Sequence, residues 1–173
     1  MRIVPTSGLS DGELRSLHRM LETSYGEEFV EDWEHALGGM HFLIEDDGGP
    51  VAHASVVERL LEVDGKSLRT GYVEAVATRP DCRRRGFGAG VVRAATDHIR
   101  DVYELGALGT GEFDFYTRFG WERWRGQAFV RAPGGVDRTP AEEGYIMILR
   151  TPRTPALDLD APISCDWRSG DAW

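Results

Sequence analysis

Apolar and polar positions repeat along this chain with two different periods, and the switches between them divide it into elements. Over residues 10–25, Leu14, Leu17, Met20, Leu21 and Tyr25 fall at helical spacing behind Ser10 and Glu13, which form a capping-box pair, so a first helix is predicted. After a break at Gly26, the acidic run Glu27, Glu28, Glu31, Asp32 and Glu34 opens a short second helix that Gly38 and Gly39 end. Strand-like runs over 40–45 and 50–58 are joined by Asp46, Asp47, Gly48 and Gly49, a hairpin signal. The second run continues to Val63, turns at Asp64 and Gly65, and returns as a strand over 67–78, giving an antiparallel meander. A helix over 87–103 follows, with Val91, Val92, Ala95, Ile99 and Val102 on one face. A right-handed crossover then sets the strand over 104–109 parallel to the strand that carries Glu74. A short helix stopped by Gly120, a strand over 121–130, a loop over 133–144 and a last strand over 145–150 complete the pattern. The tail beyond Thr151 is proline-rich, but it also holds Trp167 and Trp173, and is expected to dock on the body.

A chain of 173 residues with 41% hydrophobic content is expected to make one domain with its own core. No apolar run approaches the ~20 residues that span a bilayer, and the first residues carry no signal-peptide pattern, so a cytoplasmic protein without a membrane partner is expected. Cys82 and Cys165 lack metal-ligand or redox spacing, and five scattered histidines (His18, His35, His41, His53, His98) form no metal motif. Free thiols, structural or surface histidines and no metal are expected. A net charge of −9 argues against nucleic acid and favours a cationic small molecule.

The positive charge that exists is concentrated. Arg83, Arg84 and Arg85 precede Gly86, Phe87 and Gly88 between the strand ending at Thr78 and a helix, so backbone N–H groups and a helix N-terminus converge on an anion, with phosphate or pyrophosphate the natural guest. The dinucleotide fingerprint is excluded because Val91 stands where its third glycine belongs. The P-loop is excluded because the single lysine is Lys66.

Arg83-x-x-Gly86-x-Gly88, followed by Phe115-Tyr116-x-x-Phe119-Gly120-Trp121, resembles the signature of the GNAT acetyltransferases. The flanks (Asp32-Trp33-Glu34-His35, Gly71-Tyr72-Val73-Glu74, Leu105-Gly106-Ala107-Leu108, Arg138-Thr139-Pro140, and Cys165 to Trp173) narrow the resemblance, over nearly the whole chain, to the aminoglycoside 2'-N-acetyltransferases. It implies an α/β (α+β) fold with a central mixed, mostly antiparallel sheet flanked by helices and splayed between two parallel strands. It also implies acetyl transfer from acetyl-CoA (coenzyme A) to a polycationic aminoglycoside, and a homodimer. On the same resemblance Glu74 is a general base or only an ammonium ligand, and Tyr116 is the general acid. Val76, Ala77, Thr78, Arg83, Arg84, Arg85, Gly86, Phe87 and Gly88 hold the cofactor, with a bulge near Val76 turning an N–H toward the thioester carbonyl. Glu27 or Glu28, Asp32, Glu74, Ala75, Gly109, Glu142, Asp171 and the Trp173 carboxylate contact the amine substrate. The chain departs from the family pattern in a shortened Gly109 to Phe115 turn and in glutamates, Glu27, Glu28, Glu142 and Glu143, where aspartates are usual. A GNAT enzyme for a polyamine, another amino sugar or a peptide N-terminus is the alternative, and a non-catalytic acyl-CoA-binding module is disfavoured because Glu74 and Tyr116 are both present.

Overall fold

The computed structural model describes residues 1–26 and 31–173, the side chains of Glu31 and Asp32 excepted. Along the chain these form β1 (Arg2–Pro5), α1 (Asp11–Tyr25), α2 (Glu31–Ala36), β2 (Met40–Asp46), β3 (Gly49–Val63), β4 (Lys66–Thr78), α3 (Phe87–Val102), β5 (Leu105–Gly109), α4 (Phe113–Thr117), β6 (Glu122–Arg123), β7 (Ala128–Ala132), β8 (Gly135–Arg138), β9 (Ile146–Arg150) and β10 (Ile163–Asp166). Contacts divide the chain into two compact units, residues 1–57 with 73–97 and residues 58–72 with 98–173, and β3, β4 and α3 each run from one into the other.

The first unit is built on local signals. Ser10 caps α1 in a reciprocal box with Glu13, which satisfies two N-terminal donors, and Gly26 closes the helix in the left-handed conformation at φ 76°. The buried stripe of α1 packs Met20 and Leu21 with Ala36 of α2 and with Ala75 and Ala77 of β4. Leu17 packs with Leu9 and Leu43. Strand β1 pairs antiparallel with β2, and β2 with β3, with an irregularity after Ile44.

In the second unit the strand order is β6-β9-β5-β4-β3-β10-β7-β8. Two pairings are parallel, β4 with β5 through Thr70, Gly71 and Tyr72, and β7 with β10, while the pairings of β9 with β5 and β6, β10 with β3, and β7 with β8 are antiparallel. Three sequence expectations are corrected here. The strand expected over 121–130 is two strands, because Trp124 donates its indole N–H to Ala161 O and the Arg125 and Gly126 amides both donate to Leu159 O, which turns the chain out of the β9 ladder. A side chain at Gly126 would meet Ala161 O at 1.8 Å, so the turn requires glycine. The loop expected over 133–144 contains β8, which folds back on β7 across Pro133 and Gly134. The last strand is not β9: the tail inserts β10 between β3 and β7, so its docking is by backbone ladder on both edges.

Candidate active site

Glu74 sits half-buried near the end of β4, and the residue after it breaks the strand conformation. Ala75 takes φ 51°, a left-handed setting that costs a residue with a Cβ roughly 1–2 kcal/mol, within a strand that runs on to Thr78. The carbonyls here are held by side chains. Ser55 Oγ donates to Glu74 O at 3.4 Å, His53 Nδ1 lies 2.7 Å from Ala75 O, and the Tyr25 hydroxyl donates to Val76 O at 2.7 Å. Ser24 Oγ donates to Thr78 O at 3.4 Å. Ala75 and Ala77 are buried against α1 and α2, while Glu74, Val76 and Thr78 face the other side of the strand and stay half-buried.

The basic loop follows within the same unit. Arg79 is tied to Asp46 and Asp81 by ion pairs of 2.8 Å each, which anchors the loop's base to β2 and holds both carboxyls below their usual range. Arg83 donates to Ser24 O at 2.6 Å and Thr78 O at 3.4 Å, so it frames the loop, and Arg85 stacks on the Phe87 ring at 5.0 Å. Arg84, at φ 63°, and Gly86, at φ 86°, reverse the chain so that α3 starts at Phe87 with no acidic residue in its first turn. At Gly88 a Cβ would fall 2.9 Å from Thr78 Oγ1, so the helix start approaches the end of β4 only because that side chain is missing. A positively charged loop opening on the N-terminus of a sixteen-residue helix fits a pyrophosphate.

The second unit carries the remaining expected residues. Tyr116, on α4, is buried, edge-on to the rings of Phe115 and Trp121. Gly109, at the exposed end of β5, lies near the Tyr72 hydroxyl, 3.7 Å from where its Cβ would stand. The C-terminal segment is locked by two arginines. Buried Arg59 pairs with Asp166 at 3.2 Å and donates to Ala172 O at 2.6 Å, and Arg168 donates to Asp171 O and Trp173 O. Trp173 is buried, its indole N–H donating to Thr139 Oγ1 at 3.0 Å. This brings Asp171 close enough to Glu142 to act on it electrostatically: burial, and then the Asp171 charge, push the Glu142 carboxyl above the usual carboxylate range. Glu143, its neighbour, is instead gripped by Arg138 at 2.8 and 2.9 Å and held below that range. Glu27, Glu28 and the Asp32 carboxylate lie outside the described residues.

With this geometry in hand, comparison with known proteins narrows the reading. A model of the acetyltransferase (GNAT) domain matches residues 7–124. The chain belongs to the GNAT acetyltransferases. Within the family, a relative from Mycolicibacterium fortuitum, an aminoglycoside 2'-N-acetyltransferase, is 41% identical over 177 residues, 99% of this chain and 91% of its own. The GNAT fold is also that of YhbS from Escherichia coli, solved in complex with CoA, at TM-score 0.63 and 17% identity over 94% of this chain and 87% of that one. Against a probable N-acyltransferase from Enterococcus faecalis the TM-score is 0.60 and the identity 16% over 73% of this chain, which spans about a third of that protein's length, 33%.

Sequence reasoning on this GNAT chain missed the groups that hold the bulge, His41, His53, Ser55 and Tyr25, and the arginines that lock the tail. The register explains why: the Asp46–Gly49 pairing alone would set His41 opposite Ala54, on the face away from His53, and the shift between Ile44 and Glu45 brings the two histidines onto one face, where both are buried.

Proposed function

We propose that this enzyme transfers the acetyl group of acetyl-CoA to the 2'-amino group of an aminoglycoside, by direct attack with both substrates bound. The 41% identity to an aminoglycoside 2'-N-acetyltransferase across 99% of the chain carries the reading. The supporting chemistry lies in the Glu74–Val76 bulge, the basic loop, and the pairing of Glu142 with Asp171.

Acetyl-CoA supplies an activated thioester, and each protein group acts on one part of its transfer. The Arg84–Gly88 loop and the α3 N-terminus bind pyrophosphate. Glu74 takes one proton from the substrate ammonium, leaving the lone pair that forms the new C–N bond. As the carbonyl oxygen gains charge, the Val76 N–H donates to it, which is oxyanion-type stabilisation. The C–S bond breaks, Tyr116 protonates the departing thiolate, and the nitrogen's remaining surplus proton restores the phenol through solvent. One proton leaves by way of Glu74, so the balance closes. Glu142 and Asp171 receive a further ammonium group. Binding such a cation favours the ionised form of Glu142, so it releases a proton wherever that carboxyl is partly protonated.

The two units are proposed to act as one acetyltransferase domain, in a cytoplasmic homodimer. Acetylation replaces one ammonium of the antibiotic by a neutral amide, and this loss of charge is the proposed basis of resistance. The test is thiol release from acetyl-CoA with paired aminoglycosides that bear an amine or a hydroxyl at the 2' carbon. Turnover confined to the 2'-amino members supports the proposal. Equal turnover of both sinks the regiochemistry, and turnover of spermidine or a peptide alone moves the enzyme to another amine.

A further inference from the structure

Beneath the bulge runs a line of hydrogen bonds that the acetyl-transfer chemistry does not use directly. The Gly38 N–H donates to Thr6 Oγ at 2.9 Å, and Thr6 Oγ lies 2.7 Å from His41 Nε2. His41 Nδ1 lies 2.9 Å from His53 Nε2, and His53 Nδ1 lies 2.7 Å from Ala75 O. Both imidazoles are fully buried. Burial pushes their pKa values down, His41 to about 4 and His53 to about 3, so each ring is neutral and carries one N–H near neutral pH.

One end of this line fixes every proton in it. A carbonyl only accepts, so His53 must donate from Nδ1, which leaves its Nε2 an acceptor. His41 must then donate from its own Nδ1, leaving its Nε2 to accept from the Thr6 hydroxyl. That hydroxyl has a single hydrogen, and the alternative acceptor, Gly39 O at 3.2 Å, already receives the Thr6 amide at 3.0 Å. The donors therefore all point the same way, from Gly38 to Ala75.

The peptide at the end of the line joins Ala75 to Val76. It is trans, as are all the described peptide bonds, so its C=O and N–H point in opposite directions. Pinning Ala75 O to a buried imidazole aims the Val76 N–H away from the core.

We propose that His53, oriented by His41 and Thr6, is a positioning residue for acetyl transfer, one that sets the direction of the Val76 N–H through the Ala75 carbonyl. It touches neither substrate. The proposal rests on the reading of that N–H as the donor to the thioester oxygen, and its test separates the two. In the wild-type chain, long-range 15N–1H NMR of the imidazoles at pH 7 should find His41 and His53 both neutral with the proton on Nδ1. A proton on His53 Nε2 overturns the proposal without any measurement of activity.

The kinetic arm compares His53→Leu, which removes the donor, with His53→Asn, whose side-chain amide can replace Nδ1–H. Misdirecting a reacting group costs on the order of a hundredfold, so His53→Leu should lower kcat about ten- to a hundredfold with the KM for acetyl-CoA within about twofold. His53→Asn should recover most of that loss. A folded His53→Leu with wild-type kcat, or a folded His53→Asn no better than it, overturns the positioning role. If His53→Leu does not fold, the wild-type tautomers and the kcat of His53→Asn decide. A wild-type chain that acetylates no amine defeats the functional reading and the catalytic role with it, whatever the tautomers. Normal turnover with reversed tautomers defeats the positioning role alone.

Discussion

The bulge of β4 and the acidic patch beside Trp173 are built on opposite principles. At the bulge, the chemistry resides in backbone groups, and side chains hold them: buried His53 and Ser55 and exposed Tyr25 each engage a carbonyl from Glu74 to Val76. At the patch, the functional groups are carboxylates, and buried Arg59 and half-buried Arg168 hold the C-terminal segment around them while leaving Glu142 raised in pKa beside a like charge. Among the described residues no arginine or lysine pairs with Glu142. Rigid backbone suits a transition state, whose geometry is fixed, and a carboxyl left without a paired arginine or lysine, as Glu142 is and the Arg168-bound Trp173 terminus is not, suits a flexible polycation. Damage to the bulge should therefore appear in kcat and damage to the patch in KM.

The largest effect expected on the bulge side is from Glu74→Gln. Removing a general base costs about a hundred- to ten-thousandfold, so kcat should fall by at least about a hundredfold with the amine KM changed far less. A KM effect alone would make Glu74 an ammonium ligand. Tyr116→Phe should lower kcat about ten- to a hundredfold, and more for acetyl donors whose thiol leaves poorly. Insensitivity to the leaving group would remove the general-acid role.

On the other side, Glu142→Gln should raise the amine KM about tenfold or more, since a hydrogen bond to a charged group is worth ~1.5–3 kcal/mol. The kcat should stay near wild type, and the salt dependence of kcat/KM should flatten. Glu143→Gln serves as the contrast, because that carboxylate is already spent on Arg138, and it should change KM little. If the two substitutions behave alike, the distinction between paired and unpaired carboxylates fails.

The smallest effect is one of pH on stability. His41 and His53 have native pKa values near 4 and 3, below the 6.5 of the unfolded chain. Between those values only the unfolded chain binds the protons, so their contribution is fully present above about pH 6.5 and is lost as pH falls toward 4. The carboxylates lowered by arginine partners, Asp46, Asp81, Glu143 and Asp160, act in the same direction but only at pH values below the ordinary carboxylate range. A Tm that declines between pH 6.5 and 4.5, with a shallower decline in His53→Asn, is the expected result. An unchanged slope in that variant would place the pH dependence elsewhere.

What the sequence made legible divides along the same line. The α1 capping box, the hairpin at 46–49 and the loop from Arg83 to Gly88 are local signals, read from neighbouring residues, and the structure has all three. The insertion of β10 between β3 and β7 is a choice among distant partners that no local pattern encodes, so the tail read as docked but not as a strand. The same limit applies to function. Arg83 was expected among the phosphate ligands, and no local pattern indicated that its guanidinium also donates to Ser24 O and Thr78 O. His41 and His53 looked structural taken singly, and their meaning came only from strand register, which joined them to Ala75.

The most direct test of the account is the structure of its product. An aminoglycoside bearing amines at several positions, the 2' carbon among them, should be converted by the wild-type enzyme and acetyl-CoA to a single monoacetyl product. Two-dimensional NMR should place the new amide on the 2' nitrogen. Acetylation of any other nitrogen, of a hydroxyl, or of several positions at once would contradict it.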